Sequence, residues 1–269
     1  MASAVVQVFG QPASTDVARV MACLLERKLE FELVRTDAFR RGHKLPELVK
    51  MRDPSGKVVL KHGDITLSDS RDICRYVCTE FPRWCTRGLY GAGALERASI
   101  EKWLQAEAQS FDAPSAALAF HLAFAPRPVG VPPPSSPAAA TDGYDGGGEE
   151  EARRAAAVAE SERRLLRVLD VYDDALGRSA YLAGDEFTLA DLSHLPSAHR
   201  VARSARGRAL LASRGNVARW YAAIAARPAW RQVVMVQGRS ARGPRAFVAP
   251  EEATAPTVAA ASEICVQTI

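Results

Sequence analysis

Tyr181 to Pro196 read Y-L-A-G-D-E-F-T-L-A-D-L-S-H-L-P, and the reading of the chain starts there. Gly184 and Asp185 make a turn. Thr188 falls where a helix must begin, and Asp191 follows three residues later. A threonine hydroxyl at the N-cap accepts from a backbone N–H near the third helical position. A carboxylate at that third position reaches back to the N-cap amide, which makes a capping box. Phe187 and Leu192 occupy the two positions of a hydrophobic staple around it. Nothing in the string does chemistry: it reads as a well-capped, buried helix start.

The other end of the chain has a different rhythm. Residues 4–9, A-V-V-Q-V-F, form a short β-branched run that ends at Gly10. Helical spacing follows, with Val17, Val20, Met21, Leu24 and Leu25 on one face. Pro12 can precede that helix but cannot sit inside it. Phe31 to Val34 then read as a second strand, so the chain opens as strand, helix, strand. Two more strands are expected at 57–60 and 65–68, joined by the tight turn His62-Gly63-Asp64. A helix is expected from Ser70 to about Phe81, where Pro82 stops it.

From about Leu95 everything reads as helix. The exception is residues 126–148, P-R-P-V-G-V-P-P-P-S-S-P-A-A-A-T-D-G-Y-D-G-G-G, a composition that cannot bury enough apolar surface to offset ordering entropy. The reading is therefore a first domain at 1–83, a helical domain at 92–236 with a disordered insertion at 126–148, and a disordered tail at 237–269.

Composition narrows the function classes. The chain has 269 residues, 48% of them apolar, enough for a sizeable core. No run approaches a membrane span and no basic-then-apolar leader is visible, so a cytoplasmic protein without a membrane partner is expected. Five cysteines, Cys23, Cys74, Cys78, Cys85 and Cys265, follow no disulfide framework and point to a reducing compartment. Cys74 and Cys78 stand four apart, outside the C-x-x-C redox spacing. No histidine cluster has metal-ligand spacing, so no metal is expected. Between Leu192 and Pro250 the chain carries eleven arginines and no acidic residue, against a net charge of only +4. A solvated arginine-rich surface is the plain reading, and a surface that attracts anionic ligands is the sharper one. No module or aromatic interleaving supports nucleic-acid binding.

Several segments in order resemble plant glutathione transferases of the phi class. They are V-F-G-Q-P-A-S-T-D-V-A-R-V (8–20), G-H-K-L-P-E (42–47), H-G-D-I-T-L-S-D-S-R (62–71), W-L-Q-A-E-A-Q-S-F-D (103–112), the 181–196 string, V-L-D-V-Y (168–172) and A-R-P-A-W (226–230). The resemblance spans roughly 4–236 apart from the insertion. It implies an α/β thioredoxin-like N-terminal domain followed by an all-α C-terminal domain, assembled as a homodimer.

The activity implied is conjugation of the glutathione thiolate to small hydrophobic electrophiles, with glutathione as co-substrate and no cofactor. Ser14 would donate its hydroxyl to the thiolate sulfur, which lowers the thiol pKa. Asp69 and Ser70 would hold the γ-glutamyl end at a helix N-terminus, and His43 and Lys44 the glycine carboxylate. Lys57 and the backbone of Val58 would meet the middle of the tripeptide, and Phe120 and Phe124 an apolar co-substrate. The same residues also admit plainer roles: an N-cap serine, a solvated basic loop, two core phenylalanines.

Departures from the family pattern cluster in one loop. Asp53 to Leu60 read D-P-S-G-K-V-V-L, with Lys57 in place of the family glutamine and Val59 in place of a proline that carries a cis bond. Asp69 is shorter than the family glutamate. A cis bond before a non-proline residue costs about 2.5–4 kcal/mol, so Val58–Val59 is expected to be trans. Two readings stay open at this point: an enzyme, or a weakly active or non-catalytic carrier of apolar anions such as flavonoids.

Overall fold

A computed structural model of the chain describes residues 5–36, 58–81, 88–123, 147–238 and 245–248. His43, Lys44, Lys57, Phe124, Cys85, Cys265 and residues 126–146 of the insertion lie outside them. The first domain begins with β1 (Val6–Gly10), α1 (Thr15–Glu26) and β2 (Phe31–Arg35). β1 and β2 pair in parallel, Val8 opposite Leu33. β3 (Val58–His62) lies antiparallel on the other side of β1, and β4 (Ile65–Leu67) folds back on it. Gly63 makes that turn with a positive φ of 59°, which glycine adopts without steric cost. α2 (Ser70–Glu80) closes the unit.

The strand alternation fills two faces. Val6, Val8, Leu33 and Leu60 pack with the apolar face of α1, while Phe9, Val34 and Val59 form a separate cluster. α1 is buried from Val17 through Leu25, Arg19 included. A helix covered on every side is a core element, not a surface one.

One expectation about the tail is corrected. Arg245–Val248 forms β5, antiparallel to β2, with Phe31 opposite Val248 and Leu33 opposite Ala246. The sheet order is β4-β3-β1-β2-β5. A run as short as R-A-F-V shows no strand pattern of its own; the open edge of β2 supplies its ladder partner.

The second domain runs through α3 (Ala94–Ala106), a π turn (Glu107–Phe111), α4 (Asp112–Ala123), α5 (Gly147–Leu176), α6 (Leu189–Ala202), α7 (Ala205–Ala212), α8 (Gly215–Ala225) and α9 (Pro228–Gly238). Gly147 and Gly148, read as the end of the insertion, belong to the first turn of α5. The architecture is a thioredoxin-like α/β domain followed by a helical domain.

An aromatic cluster centres the helical domain. The Phe111 and Tyr172 rings stack, with centroids 5.8 Å apart, and Trp103, His194 and Trp220 meet Tyr172 edge-on. His194 Nδ1 lies 2.6 Å from the Ala190 carbonyl, which can only accept, so Nδ1 carries the proton. Nε2 then accepts from the Tyr172 hydroxyl at 2.7 Å. Burial pushes the His194 pKa down to about 3, so the ring stays neutral and serves the core.

The 181–196 string forms its capping box as expected. Thr188 Oγ1 accepts from the Ala190 amide at 3.2 Å, and Asp191 Oδ2 accepts from the Thr188 amide at 3.0 Å. Asp191 does more than cap. Its Oδ1 also accepts from the Leu182 amide at 3.0 Å and from Trp220 Nε1 at 2.9 Å, tying the turn, α6 and α8 together. Burial raises the Asp191 pKa, against the pull of those donors. Phe187, the expected staple residue, carries the Arg227 guanidinium 3.7 Å above its ring. Replacing Asp191 by alanine leaves buried donors without acceptors and should cost about 3–5 kcal/mol. Thr188→Ala should cost about 1 kcal/mol. Urea denaturation of both variants measures this; equal losses would mean that Asp191 is a cap and nothing more.

Candidate active site

Ser14 is the N-cap of α1, and its Oγ accepts from the Asp16 amide at 3.3 Å. Among the described residues, no acceptor takes its hydroxyl proton. The side chain is therefore fixed as an acceptor and still able to donate, at the positive end of a helix. The loop before it is held from the second domain: Arg200 Nη2 donates to the Ala13 carbonyl at 2.5 Å and Gln237 Nε2 to the Pro12 carbonyl at 2.8 Å. Ser14 thus sits on the seam between the domains, and α6 and α9 set the path of its loop.

The N-terminus of α2 is a few steps away along the same seam. Asp69 is its N-cap, and Asp69 Oδ1 accepts from the Arg71 and Asp72 amides at 2.8 and 3.0 Å. Those two N–H groups are thereby satisfied from within the chain. The Ser70 hydroxyl is also spent: it donates to Asp16 Oδ1 at 2.7 Å and accepts from Arg19 Nη1 at 2.7 Å. For Ser70, this leaves the backbone amide as the group able to meet a carboxylate. Val58 is buried at the start of β3 opposite Gly10, and the Val58–Val59 peptide is trans, as expected for a non-proline bond.

Arg19 gathers these parts. Besides Ser70 it donates to Asp16 Oδ1 at 3.0 Å, to the Ser193 carbonyl at 3.3 Å and to Glu107 Oε1 at 2.9 Å. Glu107 is fully buried, and its other oxygen accepts from Arg71 Nε at 2.8 Å. Arg71 reaches on to Asp112, whose other oxygen accepts from the Ser197 hydroxyl at 2.7 Å. Burial raises the Glu107 pKa, against the pull of Arg19 and Arg71. Burial opposes the charge on Arg19, but Glu107, Asp16 and Asp112 outweigh it, and its pKa is raised.

Beside the Ser14 loop, a cleft of about 850 Å³ opens between the domains. Ala13 and Thr15 stand on one side. Ala116, Ala119 and Phe120 of α4 face them, with Trp230 and Val234 of α9 nearby. Phe120 is 59% exposed, as an open binding wall requires and a core residue would not be. His199 and Arg200 of α6 and Arg203 at its C-cap also line the cleft. The volume suits a small organic molecule. Among the described residues, no three His, Cys, Asp or Glu side chains group as metal ligands.

The structure therefore brings Phe120 to a cleft lined by Ala13 and Thr15, the two chain neighbours of Ser14, while Ser14 itself, Asp69, Ser70 and Val58 are not part of that lining. Arg19 and Glu107 escaped the sequence reading. Their signal was present: one charge inside the apolar run V-A-R-V-M-A-C-L-L (17–25), and one glutamate in W-L-Q-A-E-A (103–108). Cys23 and Cys74 are buried free thiols. Hydrogen bonding to Cys74 and Cys78, together with burial, raises the Cys23 pKa, so it is an inert core group.

An α/β domain with a serine at the start of α1, joined across a cleft to a helical domain, defines the class. Residues 8–84 match the glutathione S-transferase N-terminal domain and residues 121–228 the C-terminal domain. The chain is 33% identical to glutathione S-transferase F11 of Arabidopsis thaliana over 231 residues, covering 86% of this chain and 97% of that one. Glutathione transferase F2 from Populus trichocarpa superposes with a TM-score of 0.70 at 40% identity, covering 87% and 99% of the two chains. Glutathione S-transferase I from maize, solved in complex with an atrazine glutathione conjugate, superposes at 0.69 with 26% identity, covering 88% and 100%. The chain belongs to the glutathione S-transferases, in the plant phi class.

The buried pair gives a direct test. Glu107→Gln leaves two guanidiniums without their carboxylate and should cost about 3–5 kcal/mol. The apolar double variant Arg19→Met/Glu107→Leu should recover part of that loss, because the fully buried guanidinium is gone and Arg71, which still loses Glu107, keeps Asp112. Urea denaturation of wild type, Glu107→Gln, Arg19→Met, Glu107→Leu and the double variant reads the pattern. Additive losses in the double variant would mean that the two residues do not act as a pair.

Proposed function

We propose that this protein conjugates the glutathione thiolate to small hydrophobic electrophiles, as an enzyme without a resident cofactor. The observation that carries the reading is Ser14: a hydroxyl held by the Asp16 amide, with its proton free among the described residues, beside an open cleft. A donor aimed at a thiolate favours the charged form and lowers the thiol pKa. The thiol proton leaves to solvent, the sulfur attacks the electrophile across the cleft, and the leaving group departs with its electron pair. Ser14 stays a donor throughout and needs no base of its own. Phe120 supplies the apolar wall for the electrophile.

Ser70 would offer its backbone amide, at the N-terminus of α2, to the γ-glutamyl carboxylate. Asp69 would lie by the amino group. His43, Lys44, Lys57 and Val58 would line the rest of the tripeptide. The maize relative with an atrazine glutathione conjugate supports this class of product.

Two further parts of the reading concern setting and assembly. Membership of the family supports a homodimer, to be checked by light scattering. The free thiols Cys23, Cys74 and Cys78 support a reducing, cytosolic setting.

Ser14→Ala should lower kcat/KM toward 1-chloro-2,4-dinitrobenzene by about 10- to 100-fold, the range expected for a hydrogen bond to a charged group worth about 1.5–3 kcal/mol. Losing the donor raises the pKa of bound glutathione. The rate should therefore recover as pH rises, and the pH–rate limb should move up by about 1–2 units. Glutathione affinity should change little. An unshifted pH profile in the alanine variant would remove Ser14 from the mechanism.

A further inference from the structure

Among the described residues, arginines of the C-terminal half stand in different settings. Arg206 pairs with Glu162, Arg214 with Asp170 and Arg227 with Glu26, while Arg219 donates to the Leu176 carbonyl. These bind helix to helix. Arg200 and Arg203 have another setting. They stand three apart, Arg200 in the last turn of α6 and Arg203 at its C-cap in helical backbone, and both line the cleft. Among the described residues, no carboxylate pairs with either. Arg200 spends one donor on the Ala13 carbonyl, which fixes it next to Ser14 and leaves further N–H groups to donate. The described cleft lining contains no acidic side chain, and its opposite wall is apolar around Phe120. Burial and Arg203 push the pKa of His199 down, so the imidazole stays neutral while the two guanidiniums are charged.

We infer that the electrophile accepted here is amphipathic and anionic, with an apolar body against Phe120 and a carboxylate or sulfonate on Arg200 and Arg203. The inference rests on the transferase reading and names its co-substrate class. Guanidinium forks match such planar or tripodal anions by geometry as well as charge.

A matched pair of substrates tests it. 4-Chloro-3-nitrobenzoate and 4-chloro-3-nitrobenzamide differ in charge but share one reaction. The glutathione sulfur bonds to the ring carbon bearing chlorine, the C–Cl bond breaks, chloride leaves with the electron pair, and the thiol proton goes to solvent. After division by the uncatalysed rates, the wild-type protein should prefer the benzoate by about three- to tenfold in kcat/KM. The preference should shrink as salt is added. It should fall to about one in Arg200→Gln/Arg203→Gln and survive in Arg203→Lys.

The unreactive pair 4-methyl-3-nitrobenzoate and 4-methyl-3-nitrobenzamide, titrated by calorimetry, should show the same ordering of affinities. That arm reads the charge preference even in a protein that turns nothing over, so loss of the transferase reading and loss of this one are told apart. Equal affinity for the two unreactive ligands overturns the inference. So does a preference that persists in the double glutamine variant. If the double variant instead raises KM for glutathione and keeps the charge ratio, the two arginines hold the tripeptide's own carboxylate and the inference is equally overturned.

Discussion

Arg19 lies in the middle of α1 with its guanidinium out of water, so each of its N–H groups must find an acceptor or the helix could not pack where it does. The acceptors come from four places: Asp16 one turn earlier, Ser70 at the start of α2, the Ser193 carbonyl in α6 and Glu107 in the π turn. Two belong to the first domain and two to the second. The relative placement of the domains is thereby a condition of burying one charge. Glu107 is held in turn by Arg71 from α2, so the pairing crosses the seam in both directions. The π turn belongs to the same arrangement, since it is the segment that delivers Glu107 to the seam.

The site inherits its geometry from this seam. Ser14 caps the helix that Arg19 anchors, and Ser70 opens the helix whose first side chain Arg19 touches. Fixing Arg19 therefore ties the Ser14 hydroxyl and the Ser70 amide to one framework. The second domain also holds the Pro12–Ala13 backbone directly, through Arg200 and Gln237. The cleft is then what remains between α1, α4, α6 and α9 once these ties are made. Its described lining is apolar on α4 and basic at the end of α6.

Much of the first domain was legible because strand and helix differ in period. The run of Val6 to Gly10 and the face Val17, Val20, Met21, Leu24 and Leu25 leave little choice of element. Thr188 and Asp191 were legible as a cap because a capping box is a local device with fixed spacing. Asp191 as a tie to Leu182 and Trp220 was not, since Trp220 is twenty-nine residues away. Ser14 was legible as an N-cap, because an N-cap is a local device. Ser70 was legible only in part: its hydroxyl holds Arg19 and Asp16, contacts that no local spacing contains.

The sequence alone determined the order of the first-domain strands and helices, the helical character of the second domain, the family and the Thr188 cap, because each rests on spacing within a dozen residues or on an ordered set of motifs. Tertiary structure alone decided three things. It buried Arg19 and Glu107 against each other, it drew Arg245–Val248 onto the edge of β2, and it sorted the arginines into those that bind helices and those that face the cleft. In each case the deciding quantity is a free energy between groups far apart in the chain: the cost of an unpaired buried charge, the open hydrogen bonds of a sheet edge, the distance from a guanidinium to the nearest carboxylate. A sequence lists those groups but does not hold the distances that set their pairing.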